Sequence, residues 1–275
     1  MGKLFTVDAE KCRKDGACAK ECPLLLISMD NEDKLPEPVE NAEKQCIKCG
    51  HCASICRFGA LKFSGSTPEQ YPLVDLTQLP TAEQTKLLLT TRRSIRVYRK
   101  QPVEQVKLAE IIDAARYAPS GVNTQPVHWL VIMDPQEVRR LTEMVIGWMR
   151  LVITEQPDLA RNMNMKQMVE DWDKGIDRIC RNAPHVIVAH APEAVGSSPS
   201  SCTIALTYLE LAAYANGLGA CWAGFFHSAT TFYPPMAEAL NLPAGHKCYG
   251  AMLLGYPQYK FHRLPPRKEA SIIWK

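Results

Sequence analysis

The chain has 275 residues, which at roughly 150 per domain suggests two modules rather than one or four. Hydrophobic residues make up 46% and charged residues 22%, a balance that excludes a wholly disordered or fibrous protein. No apolar run approaches the roughly 18 residues that a membrane span needs. A net charge of +3 gives no electrostatic footprint for nucleic acid. The cysteines stand out: seven of the eleven lie between Cys12 and Cys56.

Clustered cysteines mean disulfides in oxidising compartments and metal in reducing ones. The N-terminal stretch has no continuous apolar core and no small-residue cleavage site, so a cytoplasmic protein with metal-binding cysteines is expected. Met1-Gly2 with Thr6 matches a minimal myristoylation pattern, but so short a pattern often arises by chance.

Two segments repeat at an offset of 34 residues. The second reads Cys46-x2-Cys49-x2-Cys52-x3-Cys56; the first reads Cys12-x2-Asp15-x2-Cys18-x3-Cys22-Pro23, with Asp15 where Cys49 would fall. This spacing wraps three thiolates around one iron–sulfur cube and sends the fourth to a neighbouring cluster. Zinc ribbons instead separate two short cysteine pairs by a longer loop, so a zinc-dependent binding protein is the weaker reading. The segment 1–65 resembles the two-cluster bacterial ferredoxins. That resemblance implies that Cys12, Cys18 and Cys56 hold one cluster, with Asp15 in place of the fourth ligand. Cys46, Cys49, Cys52 and Cys22 would hold the other. A carboxylate is a harder donor than thiolate, so the first cluster is expected to be either an Asp15-ligated 4Fe–4S or a labile site that drops to 3Fe–4S. Arg57 replaces the family's usual proline, and His51 reads as a solvent-side spacer.

Ser64-Gly65-Ser66-Thr67-Pro68 marks a composition shift, and 66–80 reads as a linker whose Tyr71–Pro80 part is extended. The second module then runs over 81–275. It opens on a helix with Leu87, Leu88 and Leu89 on a buried side. A helix over about 103–117 should turn Val106, Ala109, Ile112 and Ala115 inward. A buried strand is expected over 129–133, a helix over 135–149 and a second strand over 183–191. Residues 150–175 are polar and methionine-rich. A serine-capped helix spans 201–216, apolar nearly all round, as suits burial between layers or at a subunit interface. A third strand covers 249–256. Strands alternating with helices indicate an α/β or α+β layered domain.

Thr91-Arg92-Arg93-Ser94-Ile95-Arg96 gathers three guanidiniums and a hydroxyl, suited to a phosphate and a polar ring edge. By itself it could equally be a solvated helix end. Ala118-Pro119-Ser120-Gly121-Val122-Asn123-Thr124-Gln125-Pro126 offers short donors and acceptors on a rigid turn. Gly217-Leu218-Gly219-Ala220-Cys221-Trp222-Ala223-Gly224-Phe225 and Leu254-Gly255-Tyr256-Pro257 follow, then Arg267-Lys268. In this order and spacing the motifs resemble the FMN-dependent nitroreductase family, over nearly all of 81–275.

The resemblance implies an α+β protein: a three-layer α/β/α FMN domain preceded by a small ferredoxin-like iron–sulfur domain. It places Arg92, Ser94 and Arg267 on the FMN phosphate with Arg93 beside them, and Arg96 on the N1/O2 edge of the flavin. Pro119, Ser120 and Asn123 would reach FMN from the partner subunit of a homodimer, and Ala223 and Gly224 would offer backbone N–H groups near N5. One departure is that the usual Gln-Pro-Trp becomes Gln125-Pro126-Val127-His128-Trp129. Gly217-x-Gly219 is no dinucleotide fingerprint, since it follows a helix and lacks the third glycine.

The function expected is a flavin-dependent oxidoreductase passing electrons from iron–sulfur clusters to FMN and on to an organic acceptor such as a nitroaromatic, quinone or enone. An external donor such as ferredoxin or an NAD(P)H-linked reductase would supply them. The alternative is an electron-transfer or redox-sensing protein that serves a protein partner. Met144, Met149, Met163, Met165 and Met168 with Trp148 and Trp172 read as either a pliable lid or core filling, with the lid slightly favoured. His185, His190 and His227 read as satisfied structural histidines; Cys180, Cys202, Cys221 and Cys248 read as small buried residues.

Overall fold

The computed structural model describes residues 4–29, 31, 34–63, 65–66 and 71–275. Met1 and Gly2 of the lipidation pattern and Ser64, Thr67 and Pro68 of the linker lie outside them. Two compact units emerge, one over residues 1–79 with 122–124, the other over 80–121 and 125–275.

In the first unit, β1 (Phe5–Val7) pairs antiparallel with β4 (Leu61–Phe63), and β2 (Ile27–Ser28) with β3 (Glu37–Pro38). Between them lie three one-turn helices, α1 (Ala17–Lys20), α2 (Ala42–Gln45) and α3 (His51–Ser54). The sequence repeat is repeated in the backbone. Lys14 and Lys48, Gly16 and Gly50, and Leu25 and Gly59 all take positive φ, each pair separated by the same offset. Leu26 N–H donates to Cys22 Sγ and Ala60 N–H to Cys56 Sγ, both at 3.3 Å. Among the described residues eight buried hydrophobics form this core, and Cys18, Cys22, Cys46, Cys52 and Cys56 pack against it. So small an apolar core calls for reinforcement by bound metal.

The second unit is built on a four-stranded antiparallel sheet in the order β5-β6-β8-β7, from β5 (His128–Ile132), β6 (His185–Pro192), β7 (Gly219–Trp222) and β8 (His246–Gly255). Its helices are α4 (Ala82–Thr91), α5 (Gln105–Ala115), α6 (Pro135–Glu155), α7 (Pro157–Asn162), α8 (Met165–Asp173), α9 (Ser198–Ala215), α10 (Gly224–Phe232) and α11 (Pro234–Ala239). Alternate residues of β6 enter two cores: Val186 and Val188 pack with α6 and α10, Ile187 and Ala189 with α5 and α9. A central strand covered on both faces must be apolar at consecutive positions, which is how the 183–191 run reads. The pairing is wholly antiparallel, so the domain is α+β and three-layered.

Several elements depart from the sequence reading. Leu87 and Leu89 are exposed at 61% and 54%, and α4 has no buried residue. On α5 the inward stripe is Leu108, Ile111 and Ala115, while Val106 faces solvent; the phase follows from docking on α9. The helix expected to end at 149 runs to Glu155, because nothing breaks it before the residue preceding Pro157. Residues 150–175, left unplaced by pattern, complete α6 and form α7 and α8. The helix expected from Ser201 begins at Ser198, where Pro199 pre-sets the first turn, and Ser201 is buried inside it rather than capping it. The strand β7 falls inside the 217–225 motif, where the sequence pattern predicts no strand. Met149, Met165 and Trp148 are core residues, so the lid reading fails for most of the methionine cluster.

Candidate functional site

In the first unit the seven cysteines are free thiols and line two cavities. Cys22, Cys46, Cys49 and Cys52 share one with Phe5, Leu26 and Phe63. Cys12, Asp15, Cys18 and Cys56 share the other with Val7 and Leu61. These are the two crossed ligand sets that the ferredoxin resemblance implies. Burial pushes the Cys18 thiol up, and Cys52 up to about 11, so both stay protonated unless a cation takes the proton's place. Among the described residues no three His, Cys, Asp or Glu are gathered as a single metal ion would need. The cluster assignment rests on the spacing and on the two linings. His51 is exposed and pairs with Glu21 at 3.5 Å.

In the second unit the arginine-rich segment lies against β7. Ile95 N–H donates to the Ala220 carbonyl at 2.9 Å, and a Cβ on Gly219 would meet Ile95 Cγ1 at 2.4 Å. Glycine is therefore required at 219 for close approach. Gly219→Ala is expected to cost about 1–3 kcal/mol by overpacking and to displace Arg96. Flavin content after purification and the thermal midpoint would both fall; a normal flavin load would refute the positioning role.

The guanidiniums of this segment have separate surroundings. Arg92 Nη1 pairs with Glu210 Oε1 at 2.8 Å, an acid buried in α9. Burial pushes the Glu210 carboxyl up, and Arg92 pulls it back. Arg93 donates to the Arg92 carbonyl through Nη1, while its buried Nε has no partner among the described residues. Cys221 Sγ lies 3.7 Å from the Trp222 carbonyl, and burial pushes this thiol up against the pull of Arg96 and Arg181.

Arg96 and Gly224 line a cavity of about 360 Å³ together with Cys221, Trp222, Phe225 and Ser228. Gly224 opens α10, where first-turn N–H groups lack intrahelical partners. Ala223 is different: its N–H is spent on the Ala251 carbonyl at 2.9 Å, so it is not the free donor expected. Pro119 and Ser120 line a smaller cavity of about 110 Å³ with Ser201, whose buried Oγ has no partner among the described residues. Ser120 Oγ accepts from Gln125 N–H at 2.9 Å. Asn123 groups with the first unit, where its Nδ2 donates to the Ile47 and Lys48 carbonyls. Val122, Asn123 and Gln125 all take positive φ, strain for the β-branched Val122 above all. Arg267 sits in an exposed tail without regular structure. The ten expected flavin residues are thus not gathered into one cavity of a single chain.

The buried free Nε of Arg93, the guanidinium of Arg96 and the helix start at Gly224 fit a phosphorylated, polar-edged ring system. The nitroreductase family profile matches residues 89–256, more than half of the chain. The chain belongs to the nitroreductase family. A 4Fe–4S dicluster domain matches residues 5–57. An NADH dehydrogenase of Thermus thermophilus is 32% identical over 199 residues, covering 67% of this chain and 92% of that protein. Among solved structures, a nitroreductase with bound FMN from Bacteroides fragilis superposes with TM-score 0.57 at 20% identity, over 70% of this chain and 99% of that one. An iodotyrosine deiodinase bound to FMN and 3-iodo-L-tyrosine superposes with TM-score 0.55 at 20% identity, over 68% and 97%. No helix among the described residues is long and apolar enough to cross a membrane.

Sequence reading missed Glu210, Arg178 and Arg181. An acid inside the apolar run of α9 was the available signal for the first. Arg178 and Arg181 were silent until the turn before β6 carried both to the cavity that holds Arg96. His190, expected to be a satisfied histidine, finds its partner in another histidine: its Nδ1 and that of His246 lie 3.0 Å apart, with the His128 ring alongside. Burial, then these two rings, pushes His190 down to about 4. His185 is satisfied: Nε2 accepts from Val103 N–H at 2.8 Å and Nδ1 meets the Met133 carbonyl at 3.1 Å.

Proposed function

We propose that the protein is an FMN-dependent oxidoreductase in which the iron–sulfur clusters of the N-terminal domain relay electrons to flavin and on to a small organic acceptor such as a nitroaromatic, quinone or enone. Flavin, when bound, supplies the exchange between one-electron and two-electron chemistry. The chain's own residues bind and tune it. Arg93, with its unspent Nε, and Ser94 would hold the phosphate, joined by Arg267. Arg96 would place positive charge at the N1/O2 edge and raise the flavin's potential. Gly224 would offer a backbone donor near N5. Cys12, Asp15, Cys18 and Cys56 would hold one cluster; Cys22, Cys46, Cys49 and Cys52 the other.

The observation that carries this reading is the coexistence in one chain of two cysteine-lined cavities and a nitroreductase domain with Arg96 and Gly224 on one cavity. We further propose a homodimer that completes the flavin site through Pro119, Ser120 and Asn123. Support comes from α4 packing on α9 while Leu87, Leu89, Ile204 and Tyr208 stay exposed, an apolar surface that a second copy would cover.

Anaerobic purification with iron, sulfide and FMN quantification, then stopped-flow reduction, tests the scheme. About eight irons and one FMN per chain are expected for two 4Fe–4S clusters, less any iron lost at Asp15. Reduced ferredoxin should reduce the flavin rapidly only while the clusters are intact. The Thermus relative's name makes NADH the competing donor. Efficient turnover with NADH that survives destruction of both clusters would overturn the relay.

A further inference from the structure

We propose that the acceptor is a planar aromatic anion, and that Arg181 meets its carboxylate in the 360 Å³ cavity. This rests on the flavin reading above, and it assigns a substrate class that the family motifs leave open.

Among the described residues the cavity lining contains three guanidiniums, Arg96, Arg178 and Arg181, and no carboxylate. Their positions are not equivalent. Arg178 is neutralised by Asp171 at 2.9 Å. Arg96 belongs to the segment proposed to read the flavin edge, and its Nη1 donates to the Ser94 carbonyl at 3.4 Å. Arg181 makes no hydrogen bond or ion pair with any described residue, so its charge is surplus to the fold. The turn that presents it is tightly built. The Asp177 carboxylate accepts from the N–H groups of Ile179, Cys180 and Asn182 at 2.9, 2.9 and 2.8 Å. Arg181 and Asn182 follow one another at φ 58 and 52, a left-handed pair that non-glycine residues adopt reluctantly. Strain held in place by three hydrogen bonds to one side chain marks a turn kept for what it displays.

The rest of the lining suits a flat ring. Trp222 and Phe225 offer aromatic surface, and Met163 and Met168 offer pliable thioethers. A guanidinium donates two parallel hydrogen bonds to a carboxylate, a geometry a neutral amide cannot match. Charge and shape together select an aromatic carboxylate over a neutral aromatic.

The test uses the FMN-loaded full-length protein. Benzoate and benzamide are titrated by perturbation of the flavin spectrum, and 4-nitrobenzoate and nitrobenzene are compared as acceptors with reduced methyl viologen as donor. In each turnover two electrons from the viologen and two protons convert the nitro group to nitroso and water. Benzoate should bind at least tenfold tighter than benzamide. Arg181→Gln should erase that preference, bring the kcat/KM ratio of the two nitro compounds towards one through KM, and leave FMN content intact. Arg181→Lys should keep part of the preference, and it serves if the glutamine variant fails to fold. Equal binding of benzoate and benzamide, or loss of FMN from both Arg181 variants, overturns the proposal. Should neither nitro compound turn over while benzoate still binds through Arg181, the nitroaromatic acceptor falls and the anion site stands.

Discussion

Arg92→Met is expected to destabilise the nitroreductase domain by on the order of 3 kcal/mol, because it strands a buried acid. Glu210 has 8% of its side chain exposed, and its one ion pair among the described residues is with Arg92 Nη1 at 2.8 Å. Taking one partner from a buried pair costs more than the pair is worth, since the remaining charge keeps its desolvation penalty. Arg92 is itself 27% exposed, so water screens part of the effect and holds it at the low end for buried pairs. The double variant Arg92→Met/Glu210→Leu should recover most of the loss. It also separates two roles of Arg92. If the guanidinium served only Glu210, the double variant would regain full FMN content; if it also holds phosphate, stability returns without the flavin. Thermal unfolding followed by far-UV circular dichroism, with flavin counted in the same samples, reads both.

The pH dependence has a definite sign. Burial raises Glu210 above its ordinary 4.5, so the folded chain holds that proton more firmly than the unfolded chain. Its contribution is most favourable below 4.5 and declines as pH rises through the folded value. Without Arg92 the raised value climbs further and the decline extends towards neutrality. The stability gap between Arg92→Met and the parent should therefore be small near pH 4.5 and widest at neutral pH. A gap independent of pH would mean that lost packing, not the stranded carboxylate, is responsible.

The contrast between Glu210 and the cysteines shows what a sequence discloses. Cys46, Cys49 and Cys52 lie within one short motif, so spacing alone brings these three to one cavity. The repeat even carries backbone signs to the same offsets, as at Gly16 and Gly50. Arg92 and Glu210 stand 118 residues apart, and only the packing of α4 on α9 joins them. The Ala223 amide was legible as part of a motif but not as spent, because the β7–β8 register decides its partner. On α4 a leucine run signals burial without naming the surface that covers it. The α5 stripe fails for a related reason: Val106 and Leu108 both start plausible apolar faces, and tertiary docking chooses between them.

Asp15→Ala is expected to leave one cluster short by a single iron, about seven per chain instead of eight. Asp15 lines the cavity of Cys12, Cys18 and Cys56, at the place that Cys49 holds in the second repeat. Its Oδ1 accepts from Ala17 N–H at 3.0 Å, so on the proposed ligation Oδ2 would be the oxygen offered to iron. One oxygen holds iron less firmly than a thiolate, and the parent protein should lose that iron on mild oxidation or chelation. Asp15→Cys should then resist the same treatment. Asp15→Asn keeps an oxygen for Ala17 while removing the anionic donor, which separates the local hydrogen bond to Ala17 from metal ligation. Low-temperature EPR distinguishes the products, since an oxidised 3Fe–4S centre is paramagnetic and an oxidised 4Fe–4S centre of this type is silent. If Asp15→Asn matched the parent in iron content and signal while Asp15→Ala lost both, Asp15 would serve through its hydrogen bond to Ala17 and a solvent ligand would complete the cluster. If all the variants showed two unchanged 4Fe–4S signals on reduction, the substitution in the first repeat would have no bearing on the iron.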